Sequence, residues 1–121
     1  MRHVLAVAIS CMLLAPSALA VRELVIIDEP QSAQRVEGIV LDRSGAPIAD
    51  VIVTDRSDDC AAILRSTQTD STGHFRFPRQ HGKTVYCLNF DHPLWNPLQI
   101  KLKLDKHAPR RRITARPEIG G

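Results

Sequence analysis

Apolar and polar residues alternate along most of the chain after residue 35, and turn residues separate the alternating stretches. Alternation of this kind predicts β-strands with one buried face, because successive side chains of a strand point to opposite faces of the sheet. We therefore predict an all-β fold, an antiparallel β-sandwich of about seven strands in two face-to-face sheets. The predicted strands cover residues 36–42, 51–54, 63–69, 74–77, 84–91, 98–104 and 110–116.

Tight turns are predicted at residues 43–46 and 70–73, where Asp and Gly residues cluster. Gly45 and Gly73 can adopt the positive φ that other residues resist, and the Asp70 carboxylate can accept hydrogen bonds from backbone amides of its own turn. Residues 55–61 are predicted to form a longer polar loop.

Three segments of the chain resemble the carboxypeptidase regulatory-like domain. Residues 38–42 (GIVLD) are similar to the first strand of that family, residues 44–53 (SGAPIADVIV) to its turn and second strand, and residues 69–77 (TDSTGHFRF) to its hairpin. The resemblance implies a transthyretin-like, immunoglobulin-like β-sandwich. Because members of the family are mostly non-catalytic, it also implies an adhesive, accessory or interaction role rather than an enzymatic one.

The N-terminus has the pattern of a secretory signal peptide. Basic Arg2 precedes an apolar stretch at residues 4–14, and Ala18-Leu19-Ala20 supplies small residues for cleavage. We predict cleavage near Ala20 and a periplasmic or secreted protein of 121 − 20 = 101 residues, the size of one domain. Residues 21–35 would be an N-terminal arm or an edge strand, residues 36–121 would form the sandwich, and no later segment is apolar enough to span a membrane.

Cys60 and Cys87 are the only cysteines that follow the predicted signal peptide. A pair of cysteines in an oxidising compartment predicts a disulfide bond. Closing a loop of 87 − 60 = 27 residues would stabilise the fold by roughly 3–4 kcal/mol. A period of two along residues 84–91 places Tyr86, Leu88 and Phe90 on one face, so if that face is the core, the disulfide lies across the outer face of the sheet.

The sequence contains no recognisable catalytic or metal-binding motif. The histidines lack metal-ligand spacing, and neither a Gly-rich phosphate loop nor a Gly-x-Ser-x-Gly elbow is present. The hydrolase of 5-hydroxyisourate shares the transthyretin-like fold, but its C-terminal Tyr-Arg-Gly-Ser signature is missing, since this chain ends Ile119-Gly120-Gly121. We therefore predict a protein that is not an enzyme and that uses no metal or cofactor.

Residues 91–97 form the first candidate binding site. They are predicted to be a loop stiffened by two prolines, and they carry the only Trp of the chain. Trp95, with His92 and Asn96, could stack on a sugar or anchor a protein contact. The alternative is that Trp95 only caps the open end of the core.

The second candidate is a basic C-terminal edge. The chain after residue 20 holds 16 − 1 = 15 Lys and Arg against 13 Asp and Glu, and the basic residues of this edge are Lys101, Lys103, Arg110, Arg111 and Arg112. An acidic protein, an acidic glycan or anionic lipid headgroups would suit it, whereas an exported protein rarely meets nucleic acid. The alternative is a solvated edge strand whose charges prevent unwanted pairing.

Together these features predict an exported, non-catalytic binding or accessory module that recognises another protein, with an inhibitor or immunity-type protein as one form of it. The alternative function is binding of a cell-envelope glycan through Trp95.

Overall fold

The computed structural model describes residues 23–108, 113–115 and 117, which form β-strands and no helix. The all-β sandwich prediction is thus confirmed, with eight strands in place of about seven. The strands are β1 (Val25–Ala33), β2 (Glu37–Val40), β3 (Ile52–Arg56), β4 (Ile63–Gln68), β5 (His74–Arg76), β6 (Val85–His92), β7 (Trp95–Leu104) and β8 (Ile113–Ala115).

The strands form a large sheet of five strands, ordered β1-β7-β6-β3-β4, and a small sheet of three, ordered β5-β2-β8. Most neighbours are antiparallel, as predicted, but β1 pairs with β7 in parallel and β2 pairs with β8 in parallel. The additional strand is β1, so most of the segment left open as an arm or an edge strand is an edge strand of the large sheet.

The core lies between the inner faces of the two sheets. Tyr86, Leu88 and Phe90 of β6 are fully buried, which confirms the face predicted from their spacing. From the small sheet, Phe75 meets Phe90 edge to face, with 5.3 Å between the ring centroids. Such aromatic pairs add to the stabilisation from apolar burial alone, and this one fixes the two sheets against each other.

Two turns with the sequence Asp-x-Ser/Thr-Gly reverse the chain, one after β2 and one between β4 and β5. The Asp42 carboxylate accepts hydrogen bonds from the Ser44 amide (2.9 Å), the Ser44 hydroxyl (2.6 Å) and the Ala46 amide (2.9 Å). The third residue after Asp42 is Gly45, with φ of 90°. An Asp carboxylate that bonds its own turn is a common turn device, so this local sequence specifies the reversal.

The predicted polar loop at residues 55–61 is wrong at its first two residues. β3 continues through Arg56, and Asp55 is a fully buried residue of that strand. Its place follows from the pleat, because Asp55 stands two residues after the buried Val53 and therefore points to the same inner face.

Candidate functional site

The outer face of the large sheet carries residues from four strands in register. Lys101 of β7 pairs with Cys87 of β6, Cys87 pairs with Arg56 of β3, and Arg56 pairs with Ile63 of β4. Paired residues in a sheet point to the same side. The four side chains therefore form one row across the sheet, in which a cation, a disulfide, a second cation and an aliphatic side chain follow one another.

Cys87 is joined by a disulfide to Cys60, with a Cα–Cα distance of 5.7 Å, as the sequence predicted. The loop that carries Cys60 is ordered by its own polar groups. The Ser57 hydroxyl donates to Asp59 Oδ1 at 2.6 Å, and the Ala61 amide donates to the same oxygen at 3.0 Å. These bonds, that of Ser57 first, hold the pKa of Asp59 below its ordinary value, so the carboxylate stays charged and the loop keeps its shape at neutral pH.

Arg56 connects this loop to the sheet beneath it. Its Nε donates to the Thr54 hydroxyl at 3.1 Å, and its Nη1 donates to the Cys60 carbonyl at 3.5 Å. Thr54 also points to the outer face, yet it is buried. The disulfide and Arg56 thus hold the loop that carries Cys60 against the outer face of the sheet.

Two cavities lie on the outer face. The larger has a volume of about 720 Å³ and is lined by Ser57, Leu64, Val85, Cys87 and Lys101, among others. The smaller has a volume of about 400 Å³, and Leu24, Ile52, Thr54, Ile63 and Asn89 contribute to its lining. Five large aliphatic side chains that line these cavities are about half exposed, namely Leu24, Ile52, Ile63, Leu64 and Val85. Apolar groups gathered beside concave surface are typical of interaction sites.

Lys101 and Lys103, the described residues of the predicted basic edge, do not lie on an edge strand. Lys101 and Lys103 do point outward from β7, but β7 is an internal strand between β1 and β6. The C-terminal strand β8 lies at an edge, as expected, but it belongs to the small sheet and pairs with β2. The predicted binding residues Arg110, Arg111 and Arg112 lie outside the described residues. The strand pattern alone could not place β7 and β8 in different sheets.

The predicted Trp95 loop is corrected to a tight hairpin. β6 extends to His92 and β7 begins at Trp95, which leaves only Pro93 and Leu94 in the turn. Trp95 is half-buried and packs against the core, which agrees with the alternative that it caps the core. His92 Nδ1 accepts a hydrogen bond from the Leu94 amide at 3.2 Å, and Asn96 is half-buried in β7. A role of these residues in binding stays a prediction.

Asp55, Arg65 and Lys83 form an interior ion cluster that the sequence analysis did not predict. Asp55 has no exposed surface, and its Oδ2 accepts a hydrogen bond from Arg65 Nε at 2.7 Å. Lys83 Nζ lies 3.6 Å from Oδ1 of the same carboxylate. A buried carboxylate is stable only when it is paired with a cation. The alternation of β3 places Asp55 on the buried face, and this was the sequence signal that cations must lie next to it.

Aromatic rings support both cations of this cluster. The Arg65 guanidinium lies 4.8 Å from the centroid of the Phe77 ring, and Lys83 Nζ lies 4.8 Å from that of Tyr86. The Tyr86 hydroxyl accepts a hydrogen bond from the Gln80 amide at 3.0 Å. The cluster therefore ties β3, β4 and the turn before β6 together.

Within residues 23–108, 113–115 and 117, no three His, Cys, Asp or Glu side chains are placed to hold a metal ion. A helix of the length and apolarity needed to cross a membrane is likewise not found in this part of the chain. No family model matches the chain, and no curated protein matches it either. The resemblance to the carboxypeptidase regulatory-like domain stays a prediction.

Proposed function

We propose that this protein is an exported, non-catalytic module that binds another protein through the outer face of the large sheet. The observation that carries the proposal is the group of five half-exposed aliphatic side chains that line the two cavities, Leu24, Ile52, Ile63, Leu64 and Val85. Contact of these side chains with water is unfavourable. A protein partner that covers them would gain about 25 cal/mol of free energy per Å² of apolar surface buried.

The charges on this face favour an acidic partner. Lys101 lines the larger cavity, and Lys103 lies directly opposite the exposed Val85 in the β6–β7 pair. A partner surface that presents carboxylates beside aliphatic side chains would complement both kinds of group. Complementary charges mainly accelerate association and select the partner, whereas the apolar contacts contribute more to its retention.

A disulfide and a hydrogen bond that hold the Cys60 loop on this face favour binding with little rearrangement. The Cys60–Cys87 disulfide and the Arg56 side chain hold the loop against the strands before any partner arrives. A surface ordered in advance loses less conformational entropy on association. A small, rigid binding module is what an accessory, inhibitor or immunity-type protein requires.

The test compares two variants of the disulfide-bonded protein in affinity capture from exported proteins, with quantitative mass spectrometry. Val85→Asp/Lys101→Glu alters the face, whereas Lys106→Glu makes the same Lys-to-Glu change on an exposed turn. We expect the double variant to lose a partner that the parent protein and Lys106→Glu both retain. The association rate of that partner should fall between about 0.1 M and 1 M salt, where the Debye length shrinks from about 10 Å to about 3 Å.

If Val85→Asp/Lys101→Glu retained every partner, the proposal that partners bind through the outer face of the large sheet would be refuted. Saturable binding of a cell-envelope glycan that Trp95→Ala abolishes, and that Lys101→Glu leaves unchanged, would favour the glycan-binding function instead.

A further inference from the structure

The wall of the smaller cavity contains a buried polar atom that has no hydrogen-bond partner among the described residues. The atom is Oδ1 of Asn89, on β6. Asn89 is 8% exposed, although it alternates with the inward-facing Leu88 and Phe90 and so points to the outer face. A buried acceptor without a donor destabilises a fold. Because few such groups remain in folded proteins, each of them requires a physical explanation.

The other buried or half-buried polar side chains of this cavity have partners within the protein. The Thr54 hydroxyl, on the residue opposite Asn89 in the β3–β6 pair, accepts a hydrogen bond from Arg56 Nε at 3.1 Å. Arg56 Nη1 donates to the Cys60 carbonyl at 3.5 Å. Thr54 and Arg56 thus bond to each other, and neither donates to Asn89 Oδ1. That acceptor is therefore left for a group that enters the cavity from outside.

Aliphatic side chains make up much of the remaining wall. Leu24, Ile52, Ile63 and Pro97 contribute to it, and the first three are about half exposed. The cavity volume of about 400 Å³ exceeds the roughly 150 Å³ of an engineered protein cavity that binds benzene. The cavity therefore has room for a bicyclic aromatic ring, and it favours an occupant that is apolar apart from one hydrogen-bond donor.

We propose that this cavity receives the indole ring of a tryptophan of the partner protein, and that the indole N–H donates to Asn89 Oδ1. The inference rests on the proposed function, because it places the partner's anchoring residue on the same outer face. Indole matches the wall, since its N–H donates and no atom of the ring accepts. Rotation about χ2 of Asn89, a torsion with a broad energy minimum, brings the oxygen to the ring.

The proposed bond explains why an amide occupies this position. The substitution Asn89→Leu would leave no orphaned acceptor and would suit the aliphatic wall. Natural sequences depart from such local preferences mainly at functional sites. A tryptophan enclosed by apolar side chains is also typical of the few residues that dominate the binding energy of a protein interface. Asn89 thus selects the aromatic donor, and the aliphatic side chains retain the ring.

The experiment titrates the disulfide-bonded protein with indole and with benzofuran and follows the backbone amide shifts by NMR. Benzofuran has the shape of indole but an oxygen in place of the N–H, so it cannot donate to Asn89. We expect the parent protein to bind indole at least about tenfold more tightly than benzofuran, and Asn89→Leu to bind the two equally. The matched control is Gln99→Leu, which removes an amide from the paired residue of β7, outside the cavity wall, and should keep the preference.

Melting temperatures separate a binding role of Asn89 from a structural one. Asn89→Leu should melt at or above the temperature of the parent protein, because Oδ1 accepts no hydrogen bond that the substitution could remove. A lower melting temperature shows that the fold needs the amide, and it overturns the inference. Equal binding of indole and benzofuran by the parent protein, or no binding up to the solubility limit of indole, overturns it as well.

Affinity capture of exported proteins connects the cavity to the partner. Asn89→Leu should lose a partner that Gln99→Leu retains. If Asn89→Leu retains every partner while Val85→Asp/Lys101→Glu loses one, the tryptophan proposal fails and the proposed function stands. If the double variant retains every partner, the proposed function fails, whatever the preference of the cavity for indole.

Discussion

The turns at residues 42–46 and 70–74 have the same local structure in different surroundings. In the second turn the Asp70 carboxylate accepts hydrogen bonds from the Thr72 amide (2.9 Å), the Thr72 hydroxyl (2.7 Å) and the His74 amide (3.0 Å). Asp42 makes the equivalent bonds in the first turn, and in both the Gly that follows has a positive φ. Each turn would form from its own residues, since every bond named here spans at most four positions along the chain.

The neighbours of the two glycines differ. A Cβ at Gly45 would meet nothing within 4 Å, whereas a Cβ at Gly73 would lie 2.6 Å from the Val40 carbonyl oxygen and 3.1 Å from Pro47 Cβ. Gly73 also accepts a hydrogen bond from the Val40 amide at 2.8 Å. Local sequence thus forms the turn, while packing against the rest of the fold determines how much stability a substitution at the glycine costs.

The largest loss of stability is expected at Asp55, the fully buried aspartate. Asp55→Ala leaves Arg65 and Lys83 without their buried counter-charge and should lower the free energy of unfolding by about 3–5 kcal/mol. Asp42→Ala, at an exposed turn, should lower it far less. Chemical denaturation of both variants measures the difference. Equal losses would show that burial does not decide the cost of removing a carboxylate in this protein.

The second effect compares the two glycines directly. Gly45→Ala should cost about 1 kcal/mol, because an L-residue is disfavoured at positive φ. Gly73→Ala carries the same penalty together with the contact against the Val40 carbonyl, which is main chain and cannot rotate away, so we expect about 3 kcal/mol in total. Urea denaturation with unchanged slope gives both values. A Gly73→Ala variant as stable as Gly45→Ala would refute the role assigned to packing.

The smallest expected effect is a loss of stability at low pH, through the two turn aspartates Asp42 and Asp70. The Ser44 hydroxyl, followed by the Ala46 amide, holds the pKa of Asp42 below its ordinary value. The Thr72 hydroxyl, followed by the His74 amide, lowers the pKa of Asp70 in the same way. A carboxyl whose pKa is lower in the folded state stabilises the fold fully above its unfolded pKa of about 3.9, and this contribution is lost as the pH falls through the folded pKa.

Stability should therefore fall below about pH 4, and Asp42→Asn and Asp70→Asn should each flatten part of that fall in melting curves recorded from about pH 2 to pH 7. If the turns are equivalent, the two variants flatten the curve to a similar degree. A clearly larger change for Asp70→Asn would break the equivalence and implicate His74, whose Nδ1 lies 3.9 Å from Asp70 Oδ2.

Much of this architecture could be predicted because it depends on neighbours along the chain. The period of two identified the inner face of β6, and the Asp and Gly residues identified both turns. The Cys60–Cys87 pair followed from having two cysteines after the predicted signal peptide. In each case the deciding force is local, namely the pleat of a strand, the conformational freedom of glycine, or the absence of another thiol.

Tertiary structure alone decided which strands are neighbours. β1 lies parallel to β7, and β8 joins the small sheet rather than standing beside Lys101. It also decided that Asp55 is tolerated inside, because Arg65 and Lys83 reach that carboxylate from separate elements. An alternating pattern predicts that a strand has a buried face, but it does not predict which strands lie beside it or pack against that face. Strand pairing and charge neutralisation depend on residues that are far apart in the chain.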